Sequence, residues 1–189
     1  MVSLLVPADI AESPDQRRAG FPFRSGSVVL DFVATVAKRD LADRELLADP
    51  NDFERWVYAA GLPQLTTPPG QADLDRVHTV REALHRIVRG HVHDEPIARA
   101  DIAVVNGATI PASPVARLGP DAREARSPSD VDSTAILSLI AREAVELFTG
   151  THRERLRLCL GHDCSLYFVD RSRLGNRRWC SMAACGAKR

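Results

Sequence analysis

The apolar positions of the first 150 residues recur at helical spacing, which predicts a mostly helical body. The clearest helix covers residues 72–90, where Leu74, Val77 and Leu84 are spaced by three and seven positions and therefore share one face. Glycine ends many helices, so Gly90 predicts where this helix stops. The pattern therefore indicates one long amphipathic helix in the middle of the body.

Capping residues and prolines mark the starts of further helices. Asp49 or Asn51 is the predicted cap of one helix, with Pro50 in its first turn, and Asp132 or Ser133 is the predicted cap of the last body helix. The stretch 111–130 contains four prolines and predicts a loop, with a short strand or two around residues 122–126. The predicted ranges of the remaining helices are 28–39, 49–61, 95–107 and 132–150.

All four cysteines lie in the last part of the chain. Four residues separate Cys159 from Cys164 and Cys180 from Cys185, and fifteen residues lie between the two pairs. Two close pairs joined by a short spacer are typical of a tetrahedral metal site, because each pair supplies two thiolates from one turn. The spacing predicts one structural Zn²⁺ per chain, bound by all four cysteines. Disulfide bonds and four unrelated buried thiols are the alternatives.

The segments around the cysteines predict a small fold of two strands and a helix. Residues 153–159 and 165–170 are predicted strands on either side of the first cysteine turn, and residues 179–189 are a predicted turn and short helix. Such an arrangement resembles a treble clef. The predicted fold class is mainly α, with a multihelical domain over residues 1–150 and a small treble-clef-like zinc finger over residues 151–189.

Charge is distributed unevenly, although the whole chain is formally neutral. Residues 151–189 hold nine basic and three acidic side chains, a net charge of +6, and residues 1–150 have a net charge of −6. A basic tail on an acidic body suggests an anionic partner, often nucleic acid, and arginine pairs well with phosphate. Docking of the tail on its own acidic body is the alternative. The predicted DNA-binding residues are Arg171, Arg173, Arg177, Arg178, Lys188 and Arg189.

Two stretches of the tail resemble a bacterial zinc finger. FVDRSR at residues 168–173 and RRWCSMAACG at residues 177–186 are similar to the CGNR zinc finger. That family takes its name from the sequence Cys-Gly-Asn-Arg at the last metal ligand, whereas residues 185–188 of this chain are Cys-Gly-Ala-Lys. The resemblance implies a zinc finger that binds DNA.

Two stretches of the body extend the resemblance. VVLDFVAT at residues 28–35 and DIAVVN at residues 101–106 are similar to parts of the domain that precedes this finger in stress-induced transcription regulators. The resemblance implies a regulator of transcription. Its body is then expected to sense a small-molecule effector or to mediate formation of a homodimer.

Three polar residues of the body are candidates for a ligand pocket. Asp31 and Thr35 are one helical turn apart, and Asn106 belongs to the second body stretch of the resemblance. A structural hydrogen bond within the core is the alternative role for Asp31, because a buried carboxylate needs a partner.

Other functional classes find less support in the sequence. The chain lacks a GxSxG motif, a P-loop, an HExxH motif and a GxGxxG motif, so it is predicted not to be an enzyme. The start of the sequence does not have the pattern of a secretory signal, and no apolar run is long enough to span a bilayer, which predicts a cytoplasmic protein without a membrane partner. A zinc-stabilised protein-interaction module is the main alternative to DNA binding, and RNA binding is a third.

Overall fold

The computed structural model describes residues 17–126, 128 and 130–187. Helices form most of its regular structure, and its short strands pair into four antiparallel hairpins. The elements, in chain order, are β1 (Arg17–Arg18), β2 (Phe21–Pro22), α1 (Val28–Val33), β3 (Val36–Ala37), β4 (Arg44–Glu45), α2 (Pro50–Ala59), α3 (Gln71–His93), α4 (Arg99–Ala108), β5 (Arg117–Leu118), β6 (Ala125–Arg126), α5 (Ser133–Thr149), β7 (Leu156–Leu158) and β8 (Tyr167–Val169).

Helix α3 is the longest element and packs against α1, α2, α4, α5 and β7. It continues past Gly90, so the predicted end of this helix was wrong. A Cβ atom at Gly90 would lie 2.6 Å from Cγ1 of Ile97, which shows that this glycine makes room for the returning chain. The helix ends instead at Asp94, which adopts the left-handed conformation typical of a C-terminal cap.

Helix α1 is shorter than the predicted helix 28–39, because it ends at Val33. The hydroxyl of Thr35 donates a hydrogen bond to the carbonyl oxygen of Phe32 at 2.7 Å, and the chain then enters β3. The carbonyl oxygen of Thr35 accepts from the amide of Leu46 at 2.9 Å, next to β4. Tertiary pairing therefore ends a helix that the apolar pattern alone would continue.

The helices with strong capping signals follow the predictions closely. Asp49 caps α2 and forms a reciprocal capping box with Asp52, and Asp132 caps α5 by accepting from the amide of Ala135 at 2.7 Å. Helix α4 begins at Arg99, four residues after the predicted start at residue 95. The proline-rich loop contains the β5–β6 hairpin, in which only the second strand lies within residues 122–126.

A network of ion pairs links α3 to the β3–β4 hairpin. Arg81 is nearly fully buried and its guanidinium donates to the carboxylate of Glu45 at 2.6 and 2.7 Å and to Glu82 at 2.9 Å. Arg39 forms a two-bond fork with Glu82 at 2.8 Å. Burial alone would raise the pKa of Glu82, but the hydrogen bonds from Arg39 outweigh it and lower that pKa to about 2.

The hydrophobic core of the helices extends into the cysteine-rich segment. Leu156, Tyr167 and Val169 belong to the same buried cluster as the core residues of α3 and α5. A second buried cluster contains Ala34 from the end of α1 together with Phe168 and two of the cysteines. The strands of the predicted finger are thus packed directly on the body, and the division at residue 150 stays a prediction about domains.

Candidate metal centre and basic loop

The β7–β8 hairpin positions the first pair of cysteines. Leu156 pairs with Val169 and Leu158 with Tyr167, as predicted for strands on either side of a cysteine turn. The amide of Cys159 extends the ladder by donating to the carbonyl oxygen of Leu166 at 2.9 Å. The amide of Cys164 donates to the carbonyl oxygen of Gly161 at 3.1 Å and closes the turn between the two thiols.

A tight helical turn positions the second pair. Met182–Gly186 forms a single π-helical turn, which is shorter than the helix that the sequence predicted. The side chain of Ser181 accepts from the amide of Ala184, and the carbonyl oxygen of Ser181 accepts from the amide of Cys185 at 3.0 Å. These bonds hold Cys185 at a fixed place in the turn.

The four thiols converge on one point. All four Sγ atoms lie within 4.8 Å of one another, and the Cys164–Cys180 and Cys180–Cys185 distances are 3.8 and 3.6 Å. Zn–S bonds of about 2.3 Å in a tetrahedron place sulfurs about 3.8 Å apart. The cysteines are free thiols, which excludes the predicted disulfide alternative in this structure. A closed set of four sulfurs is the ligand set of a structural zinc ion.

The thiols shift one another's pKa values because their sulfur atoms lie so close together. The pKa of the Cys159 thiol is lowered, chiefly because Cys164 and Cys180 hydrogen-bond to its sulfur. The pKa values of Cys164 and Cys180 are raised, chiefly by their hydrogen bonds with Cys159. Four adjacent sulfurs cannot all ionise without a cation between them, whereas Zn²⁺ binds them as thiolates.

The second coordination sphere ties the two turns together. The amide of Cys180 donates to the Sγ atom of Cys159 at 3.3 Å, and the amide of Leu160 donates to the carbonyl oxygen of Arg178 at 2.9 Å. A Cβ atom at Gly161 would lie 3.1 Å from the Cβ atom of Cys185 and 3.3 Å from that of Cys164. Gly161 therefore allows the turns to approach, a role that sequence reasoning missed.

Asp170 organises the basic loop that connects β8 to the second turn. Its buried carboxylate accepts hydrogen bonds from the amide of Ser172 at 2.9 Å and from the amide of Arg177 at 2.8 Å. Burial would raise the pKa of Asp170, but these bonds outweigh it and lower the pKa. Arg155 holds the same loop by donating to the carbonyl oxygen of Ser172 at 2.9 Å. Residues 171–177 are thus fixed at both ends.

Two family models match the chain. A model described as "Putative stress-induced transcription regulator" matches residues 26–151. A model described as "CGNR zinc finger" matches residues 155–189. The first model covers more than half of the chain, so the chain belongs to the family that this model describes. No curated protein matches it. The family assignment confirms the resemblance, and together with the sulfur geometry it supports one structural Zn²⁺ in the CGNR finger.

Two of the predicted DNA-binding residues of the CGNR finger donate hydrogen bonds to the protein's own backbone. Arg177 donates to the carbonyl oxygens of Trp179 and Cys180, and Arg171 donates to the carbonyl oxygen of Gly26 at 2.7 Å. Both are therefore engaged in holding the finger together or to the body.

The remaining predicted cations extend toward solvent or lie outside the described residues. Arg173 and Arg178 are exposed, and Arg178 lies over the ring of Trp179 at 5.4 Å. Neither forms an ion pair with any residue between 17 and 187 that the structure describes. Lys188 and Arg189 lie outside the described residues.

The candidate pocket residues of the body have separate surroundings. Asp31 is buried and accepts from the amide of Ser25 at 3.1 Å, and desolvation raises its pKa to about 7. Thr35 is buried and accepts from the guanidinium of Arg81 at 3.2 Å. Asn106 is exposed on α4. A pocket formed by these three residues stays a prediction, and the hydrogen bond of Asp31 agrees with the alternative structural role.

No helix in residues 17–126 or 130–187 has the length and apolar character needed to cross a membrane.

Proposed function

We propose that this chain regulates transcription by binding DNA through its zinc finger. The main support for this proposal is the basic loop of residues 171–177, which lies between the metal ligands Cys164 and Cys180. Asp170, Arg155 and the four cysteines fix the loop, and the loop and its end present Arg173 and Arg178 to solvent. Arginine side chains on a rigid support bind phosphate without a large loss of conformational freedom.

The cations of the finger then divide into two groups. Arg173 and Arg178 contact phosphate directly, and Lys188 and Arg189 add charge at the end of the chain. Arg177 acts indirectly, because its guanidinium supports the carbonyl groups beside Cys180. Arg171 has both a structural and a phosphate-binding role. One guanidinium nitrogen donates to the carbonyl oxygen of Gly26, and the side chain is exposed and can also contact phosphate.

The finger is proposed to follow a treble-clef arrangement, with the β7–β8 turn as its knuckle. Phosphate contacts position a protein on DNA and do not by themselves specify sequence. The finger is therefore expected to bind many duplexes with similar affinity unless other residues contact the bases.

The test is a titration of a fluorescent DNA duplex with the full-length protein at several salt concentrations. About four to six phosphate contacts give a slope of log affinity against log salt on the order of −4 to −5. Arg173→Gln and Arg178→Gln should each weaken binding to all duplexes and make the slope shallower by about one. Arg99→Gln on α4 is the matched control, because Arg99 is an exposed arginine far along the chain from the finger.

Absence of binding, or binding whose affinity does not depend on salt, would contradict the proposal. Equal weakening by Arg99→Gln and Arg178→Gln would also contradict it, because it would mean that only net charge matters. Stronger competition by single-stranded RNA than by duplex DNA would favour RNA as the partner.

A protein partner is a second candidate, favoured by apolar side chains on the finger surface. Leu160, Leu174 and Met182 are 59%, 75% and 63% exposed. Exposed apolar side chains next to charged ones are common at protein interfaces. Leu174→Ser should leave DNA affinity unchanged if the arginines alone bind DNA, and it should abolish binding of a protein partner. A homodimer and its interface stay predictions.

A further inference from the structure

We propose that Leu174 inserts between two base pairs of duplex DNA when the zinc finger binds, and that the finger thereby kinks the DNA. Insertion rests on the DNA binding proposed above and adds a contact with the bases. Its support is an exposed apolar side chain at the tip of a fixed turn, next to cations that suit phosphate.

Leu174 lies at the tip of a β-turn in the basic loop. The amide of Gly175 donates to the carbonyl oxygen of Ser172 at 3.3 Å, so Arg173 and Leu174 are the two central residues of the turn. Leu174 is 75% exposed and belongs to neither of the two buried clusters described above. The turn therefore presents an apolar side chain and a cation side by side to solvent.

Three hydrogen bonds hold this turn in place. The carboxylate of Asp170 accepts from the amides of Ser172 and Arg177, and Arg155 donates to the carbonyl oxygen of Ser172. A Cβ atom at Gly175 would lie 2.7 Å from Nη1 of Arg155, so this guanidinium lies directly against the turn. A side chain on such a support can enter DNA without a large further loss of backbone freedom.

The charge around Leu174 favours DNA as the partner of this side chain. No acidic residue follows Asp170 in the sequence, whereas residues 171–189 contain five arginines and one lysine. Arg173, its neighbour in the turn, and Arg178, at the end of the loop, are both exposed. Proteins that kink DNA insert Leu, Ile, Met or Phe between base steps and bind the duplex beside them with cations. The turn has both of these features.

Insertion would give the finger a preference for DNA that kinks easily. Unstacking a base step costs free energy, and the cost is smallest at pyrimidine–purine steps such as TA and CA. Phosphate contacts alone do not distinguish such sequences. The expected target is therefore a duplex with a central TA or CA step rather than a stiff A-tract, and this preference requires no hydrogen bond to a base.

The test uses the zinc-loaded, full-length protein and a short duplex with a central TA step. Energy transfer between dyes at the two ends measures bending, and the fluorescence of 2-aminopurine beside the step measures unstacking. The unaltered protein should bend the duplex by about 20–90° and raise the 2-aminopurine fluorescence. Leu174→Ala should abolish both signals and weaken binding by about tenfold. Its salt dependence should stay unchanged, because the substitution removes no charge.

Two control variants separate insertion from other causes. Leu118→Ala should bind and bend DNA like the unaltered protein, because Leu118 is 74% exposed but lies on β5 of the body. Leu174→Met should keep both signals, because Met also inserts between base steps. Each variant should keep its bound zinc, which elemental analysis checks.

Three results would overturn insertion while DNA binding itself remains. The first is a bound duplex that stays straight with unchanged 2-aminopurine fluorescence. The second is a Leu174→Ala protein that bends DNA as the unaltered protein does. The third is equal affinity of the unaltered protein for the TA-step duplex and for an A-tract. Absence of any DNA binding would instead reject both insertion and the function on which it rests.

Discussion

The helical body and the zinc finger are stabilised by different means although they share one core. The body buries the faces of α2, α3 and α5 in one large cluster that includes Trp56. The finger has a small second buried cluster around Phe168, and four sulfurs, Asp170 and Arg155 hold its loops. Small units that bury little apolar surface need such cross-links. Loss of a metal ligand should therefore unfold the finger as a whole, whereas other single substitutions in either part should have graded effects.

Loss of one metal ligand should have the largest effect. Cys180 is fully buried and lies beside both Cys164 and Cys185, so Cys180→Ser should reduce bound zinc from about one ion per chain to nearly none. Elemental analysis measures the metal, and limited proteolysis should cut within residues 159–187. Ser165→Ala, next to a ligand, is the control and should retain zinc. A Cys180→Ser protein with a full zinc content would contradict the assigned ligand set.

The next largest effect is expected at Asp170. Asp170→Asn replaces a buried carboxylate that accepts two backbone amides, and weaker or lost bonds of this kind cost about 1–3 kcal/mol each. Urea unfolding should show a loss of roughly 2–4 kcal/mol, together with weaker DNA binding. Glu154→Gln is the matched control, because the Glu154 side chain is 85% exposed. Unchanged stability of Asp170→Asn would show that the loop does not depend on this carboxylate.

Two glycines of the body offer a paired test of graded effects. Alanine at Gly90 would place a Cβ atom 2.6 Å from Ile97, whereas alanine at Gly107 would meet nothing within 4 Å. Gly90→Ala should destabilise the protein by about 1–3 kcal/mol through overpacking. Gly107→Ala should stabilise α4 by about 0.5–1 kcal/mol, because alanine favours helix. Thermal unfolding of both variants checks the signs, and a stabilised Gly90→Ala protein would refute the packing explanation.

A smaller, pH-dependent effect is expected at Asp31. Burial raises its pKa from 3.8 to about 7 in the folded protein, so the folded state holds a proton that the unfolded chain releases. The stabilising contribution is complete below pH 4 or so and is lost as the pH rises toward 7. Between about pH 6 and 8 stability should fall by roughly 1–2 kcal/mol. Asp31→Asn should flatten this dependence, and an unchanged profile would argue against a protonated Asp31.

The elements that could be predicted from sequence are those fixed by local signals. Asp49 and Asp132 mark helix starts correctly because a cap acts within one turn. The cysteine spacing predicts the metal site because four thiols in two close pairs have few other uses. Each of these signals lies within a few residues of what it determines.

The elements that were missed depend on contacts between distant residues. The early end of α1 depends on pairing with β4, and the role of Gly90 depends on Ile97. Arg171 and Arg177 looked like phosphate ligands, yet the carbonyl groups they bind become visible only in the folded chain.

Amide hydrogen exchange of the full-length protein, with zinc and after chelation, tests the contrast between body and finger most directly. Residues 159–166 and 170–187 are expected to lose protection when zinc is removed. Helices α3 and α5 should keep theirs, and β7 and β8 should keep part of theirs through contacts with the core. Equal protection of residues 159–187 with and without zinc would contradict the claim that the metal holds the finger. Loss of protection in α3 and α5 as well would contradict the claim that the body is stable on its own.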